Sequence, residues 1–189
     1  MQSWGRETGG AAILEFALIL PVVLILFLGG WEIFNALSTY RKLADMTTQL
    51  SSLISVSPPS VTQAQIAGDI STASLIMTPY STTPMSITVT EILTDGPTST
   101  HVCTTAPCTA RVQWQVNSAG TADTVQGTTW SALPRILAVP GTGYTIVQTS
   151  YAYATTLGSL YLGATIPMSD QLYMSPRQEP VISCSTTGC

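Results

Sequence analysis

From Ala11 to Trp31 the chain is an apolar run that carries a single charge, Glu15. At about 1.5 Å of rise per residue, a helix of this length crosses a hydrocarbon core of roughly 30 Å. A charge in such a run is costly. Insertion scales put Asp, Lys or Arg at about 2.5–3.5 kcal/mol at the membrane centre, and less near an edge. An acid kept there marks a functional site and demands a partner.

The spacing points to the partner. A cut between Gly10 and Ala11 would leave an ammonium on Ala11 and make Glu15 the fifth residue of the mature chain. A unit-charge pair at ~4 Å contributes up to about 4 kcal/mol at an effective dielectric near 20. Pairing of Glu15 with the Ala11 ammonium of a neighbouring processed subunit would offset much of the membrane cost and favour one axial register. The plainer alternative is a carboxyl at the membrane edge, solvated by headgroups and neutral part of the time. That alternative gives no reason for the glycine five residues earlier. Glycine suits a scissile position because no side chain keeps a peptidase from the backbone. Gly9 offers a second site, but a cut there would make Glu15 the sixth residue.

Gly10, four apolar residues, Glu15 and then the aromatic Phe16 resemble the prepilin-peptidase site of type IV pilin-like proteins. The longer string Gly9-Gly10-Ala11-Ala12-Ile13-Leu14-Glu15-Phe16-Ala17-Leu18-Ile19-Leu20-Pro21 resembles the TadE/TadG-like proteins of the tight-adherence (Tad) pilus system. Thr145 to Tyr153 and Met168 to Arg177 are similar to the strand and the closing Pro-Arg segment of TadE-like ectodomains, and Trp114 within a strand fits them too. The resemblance implies a minor pilin or pseudopilin that is cut by a prepilin peptidase and is not itself an enzyme. Its implied partners are that peptidase, a sister pseudopilin, the major Flp-type pilin and the inner-membrane assembly platform. It also implies a packing role for Phe16 and local stretching of the helix at Pro21. The chain is too long to be the major pilin, which is little more than the helix.

Charged residues make up 8% of the chain and the net charge is −4. No Lys/Arg cluster exists to bind nucleic acid or an anionic membrane surface. Four cysteines form two similar pairs, Cys103 with Cys108 and Cys184 with Cys189, in Ser/Thr/Pro/Gly surroundings. An even count in this setting suits disulfides in an oxidising compartment, and three connectivities are open. Two local loops are favoured because each holds a turn former, Pro107 or Gly188. A zinc site is not expected, since the spacings are long and His101 is the only histidine. No cofactor is implied. His101 has no triad partner, and Gly141-Thr142-Gly143 lacks the third glycine of a dinucleotide loop.

The expected order is a cytoplasmic leader over 1–10, a membrane-spanning and extended helix over 11–56, and a periplasmic head over 60–189. The leader is not a secretory signal, which is cut after its apolar region rather than before it. The positive-inside rule is ambiguous, with Arg6 on one side of the run and Arg41 and Lys42 on the other. The cysteines and the resemblance favour an outside C-terminus. The helix is expected to continue from about Ile13 to Ser55 and to bend at Pro21. Beyond the membrane its buried stripe reads as Ile33, Leu37, Tyr40, Ala44, Thr47 and Leu50, with Leu43 and Ile54 near it. Gly29 and Gly30 either let a second helix approach closely or simply fill the membrane span, and the two readings stand level.

After the linker Ser57-Pro58-Pro59-Ser60, Ser60 and Gln63 have capping-box spacing, and a helix is expected over about Val61 to Met77. Period-two patterns then predict strands over 86–93, 111–116 and 144–154. After Ile166-Pro167 the tail reads as loop. The fold class is α+β: a long N-terminal helix, one further helix, and an antiparallel sheet of about three or more strands, as in pilins. Two rival functions stand beside the pilin reading. One is a bitopic periplasmic sensor that keeps its leader and binds a ligand near Trp114 and Trp130; the other is a pilus-tip adhesin.

Overall fold

A computed structural model describes residues 9–94, 109–121, 126–155 and 165–185. Helix α1, Gly9–Ser55, is 47 residues long, about 70 Å at the α-helical rise. Its upper part buries Leu43, Met46, Leu50 and Ile54, spaced by three and four residues on one face. Thr39, Thr47, Ser51 and Ser55 are buried beside them. Each turns its hydroxyl back onto a carbonyl of its own preceding turn, which satisfies the buried donor. Lower down, the expected stripe leaves the core: Ile33 is 71% exposed and Leu37 46%. The lower helix is apolar on several faces, so periodicity alone could not say which face the head covers.

Strand β1, Ser60–Val61, occupies the expected linker and helix start. Helix α2 is Gln63–Ser74, continued by a 3-10 turn over Leu75–Met77. Its capping box is Thr62 with Gln65, not Ser60 with Gln63. The Thr62 hydroxyl accepts from the Gln65 N–H at 3.2 Å, and the Thr62 N–H donates to Gln65 Oε1 at 2.8 Å. Ser60 is taken instead by pairing with Ser183. Ile66, Ile70, Ala73 and Met77 form the buried face.

Five antiparallel strands follow: β2 Met85–Thr94, β3 Ala110–Asn117, β4 Thr129–Trp130, β5 Gly143–Ala154 and β6 Thr165–Met174. Their spatial order is β4-β3-β2-β5-β6. The stretch expected to be loop after Ile166 is therefore a full edge strand, paired with β5 from Thr145↔Met174 to Ala154↔Thr165. Pro167 is tolerated there because an edge strand has a side that needs no N–H.

The inner face of the sheet packs Ile87, Val89, Trp114, Val116, Val147 and Tyr151 against α1 and α2. The outer face carries a second, smaller core of Ile92, Ala110, Val112, Tyr144 and Ile146, covered by Trp130, Leu133 and Leu137. Val112 and Trp114 are two residues apart and would share a face in a regular strand. A bulge separates them: Glu91 pairs with Trp114 but Ile92 with Val112, which leaves Gln113 as the extra residue.

The C-terminal segment, ending in β7 (Ser183–Cys184), straps the top of α1 to the sheet. The Arg177 N–H donates to Ser55 O at 2.9 Å and Gln178 Nε2 to Val56 O at 2.9 Å, which satisfies carbonyls at the helix end. β7 pairs with β1 in parallel. Trp114 Nε1 donates to Ile182 O at 2.6 Å. The Ile182 N–H donates to Glu91 Oε1 at 3.2 Å, while Thr145 Oγ1 bonds Glu91 Oε2 at 2.6 Å. Glu91 is fully buried, and burial pushes its carboxyl up to about 8 against the weaker opposing pull of Thr145 and Ile182.

Two outcomes follow from this closure. A Cβ on Gly143 would stand 2.0 Å from the Pro180 carbonyl oxygen, so Gly143→Ala should cost about 1–3 kcal/mol in denaturant unfolding. An undisturbed midpoint would mean that the strap does not lie there. The Glu91 carboxyl moves from an ordinary 4.5 to about 8 on folding, so the folded chain holds an extra proton between those values. The stability tied to that proton is complete below the lower value and is lost progressively as pH rises to the upper one. Unfolding at pH 5 and pH 8 should differ by a few kcal/mol in favour of pH 5. Glu91→Gln should flatten that slope; a slope retained in the variant would assign it to other groups.

Candidate processing and helix-packing site

Gly9 opens α1, so the Gly10–Ala11 peptide bond lies in its first turn. The first four N–H groups of a helix have no partner within it, and each glycine costs roughly 1 kcal/mol relative to alanine. This turn is therefore an easy part of α1 to unwind. Nothing lies within 4 Å of the place a Cβ would occupy on Gly10.

Ala11 and Glu15 are one turn apart, the spacing at which residues share a helix face. Glu15 is exposed and Phe16 is 65% exposed, so the head covers neither. The helix runs unbroken through Pro21. Gly29 and Gly30 have open space where a Cβ would be, which leaves room for a close neighbour. None of the most apolar 18-residue window of the rod is buried, and α1 is long and apolar enough to cross a membrane.

The uncovered apolar surface continues above the expected membrane boundary. A groove of about 300 Å³ runs between Ile33, Ala36, Leu37 and Tyr40 on α1 and Ile166 and Met168 on β6. The lower members of the expected stripe thus line a groove instead of entering the core. Tyr153 donates its hydroxyl to Glu32 Oε1 at 3.3 Å, which fastens the sheet to the rod at this level. The Tyr153 hydroxyl is pushed up to about 12, first by desolvation and then by the Glu32 charge and hydrogen bond, with smaller effects from Tyr80 and Tyr151. Sequence reasoning singled out neither Glu32 nor Glu91. The signal for Glu91 was there: it alternates in phase with Ile87, Val89 and Leu93, the face that turns inward.

Trp114 and Trp130, expected together beside a sensor's ligand, lie in different cores on opposite faces of the sheet. Cys184 is partly buried against the main core. Cys103, Cys108, Cys189 and His101 lie outside the described residues, and with them the expected pairing. Among the described residues no group of three His, Cys, Asp or Glu side chains is placed to hold a metal ion.

Residues 10–49 match the family model described as TadE-like protein, consistent with a TadE-like pseudopilin of the Tad pilus system. The match covers the rod from Gly10 past Leu43 and Met46 into its buried half and leaves the sheet unmatched. No curated protein and no solved structure matches the chain.

The contact between rod and sheet can be checked by spectrophotometric titration, with Tyr153→Phe used to identify the Tyr153 signal. Glu32→Gln should lower the Tyr153 pKa while leaving it above the ordinary tyrosine value, because desolvation remains. A Tyr153 signal that does not respond would contradict the contact.

Proposed function

We propose that the chain is a minor pilin or pseudopilin that takes part in assembling a Tad pilus. The observation that supports this best is the TadE-like match over a rod whose lower half the head leaves bare, with Glu15 five residues after Gly10. In this reading a prepilin peptidase cuts between Gly10 and Ala11. The helix stays in the inner membrane as a single span, with the leader cytoplasmic and the head periplasmic. The new ammonium of one subunit pairs with Glu15 of the next, which sets the axial register between helices. Glu15 would otherwise be an uncompensated charge in the bilayer.

The bare helix then packs beside the helices of the major Flp-type pilin and a sister pseudopilin, and the groove between α1 and β6 extends that packing surface above the membrane. The head primes, caps or adapts assembly on the inner-membrane platform. The periplasm is oxidising and suits disulfides; local pairs Cys103–Cys108 and Cys184–Cys189 are the proposed connectivity.

Intact-mass measurement of the chain recovered from its native membrane should give an N-terminus at Ala11. In cells, Glu15→Gln should be processed but should abolish or sharply reduce fibres. Retention of residues 1–10 together with normal fibres in the Glu15→Gln strain would refute the reading and favour a bitopic protein that keeps its leader.

A further inference from the structure

The outer face of the sheet is apolar at one end and polar at the other. At the polar end the register sets side chains in rows across the strands. Thr88 and Asn117 pair, Thr88 faces Gln148, and Gln148 faces Gln171. The next row is Ser86, Ser150 and Ser169. Ser86, Thr88, Gln148, Ser150, Ser169 and Gln171 line a depression of about 490 Å³, with Asp170 the one ionisable residue at its wall among the described residues.

The edges of this depression are held in place. Ser86 and Ser150 share a hydrogen bond at 2.8 Å, and Gln171 Nε2 donates to the Tyr173 hydroxyl at 2.8 Å, which itself donates to Ala132 O. At the centre, no hydrogen bond within the described residues engages the side chains of Thr88, Gln148 or Ser169. Their hydroxyl and amide groups each offer a donor and an acceptor.

This chemistry selects a ligand class. Among the described residues no cation lines the depression, so a phosphate or carboxylate ligand would find no countercharge there. A single carboxylate does not make a site for a metal cation. An apolar ligand would strip water from six polar side chains without replacing their hydrogen bonds. An uncharged ligand rich in hydroxyls matches donor for acceptor throughout. The strands lie about 4.8 Å apart, close to the length of one pyranose ring, so a glycan lying across them would meet one polar side chain per sugar in each row.

We infer that the outer face of β2, β5 and β6 binds a neutral glycan. This goes beyond the role in pilus assembly and does not depend on processing at Gly10. The test uses the full-length chain in phospholipid nanodiscs, because alkyl-glycoside detergents would compete through their sugar headgroups. Chitohexaose and maltohexaose are titrated calorimetrically, the first standing for N-acetylated wall-type glycan and the second for plain glucan. At least one should bind with millimolar or better affinity. Gln148→Ala and Thr88→Val should each weaken binding at least tenfold at an unchanged melting temperature, whereas Ser71→Ala on α2 should not. The inference is overturned if neither oligosaccharide binds at saturating millimolar concentration, or if binding survives both substitutions. Which oligosaccharide binds identifies the source.

Discussion

The packing of one helix face against one sheet face organises the whole head. Leu43, Met46, Leu50 and Ile54 meet the inner face of the sheet, and the small polar residues between them satisfy their hydroxyls within their own helix. Thr47 also meets Thr149 across that interface at 2.8 Å. The same helix, lower down, has no protein cover. A single rod thus has a covered half and a bare half, with the change near Glu32 to Tyr40, where a groove replaces a core.

Closure at the far end depends on a buried acid. Glu91 stands where the bulge in β3 redirects the sheet, and it holds the strap through the Ile182 N–H. Burying a carboxyl is unfavourable, and the group answers by keeping its proton into the neutral range. With the Trp114 to Ile182 bond and the tight approach of Pro180 to Gly143, three separate contacts locate the same segment. The C-terminal half of the chain is thereby tied to the end of α1, although the two are far apart in sequence.

Much of this was legible beforehand, for local reasons. The long helix, its end before Pro58, and strands β2, β3 and β5 follow from apolar run length and from alternation. What escaped was set by distant contacts. Ser60 and Gln63 have the same spacing as Thr62 and Gln65, and only the pairing of Ser60 with Ser183 decides between them. Strand β6 carries Pro167 and the polar run Ser169-Asp170-Gln171, so it reads as loop until β5 supplies a partner. The bulge at Gln113 leaves the local alternation of β3 intact while reversing which core Trp114 joins. The proposed cut between Gly10 and Ala11 rests on a short linear motif with Glu15, which the sequence carries by itself. The Glu32–Tyr153 contact was not legible, because its two halves lie on different elements.

The rod, the acid near its start and the TadE-like match together support the proposed part in a Tad pilus, for which the bare half of α1 is the packing surface. The claim on which this rests is that α1 is one helix divided between lipid and head. Hydrogen–deuterium exchange of the full chain in phospholipid nanodiscs addresses it directly, with delipidation by a short-chain detergent as the comparison. Slow exchange over residues 12–31 that is lost on delipidation, beside slow exchange over 43–55 that persists, is the expected pattern. Equal sensitivity of both segments, or fast exchange over 12–31 within the bilayer, would contradict a rod shared between two environments.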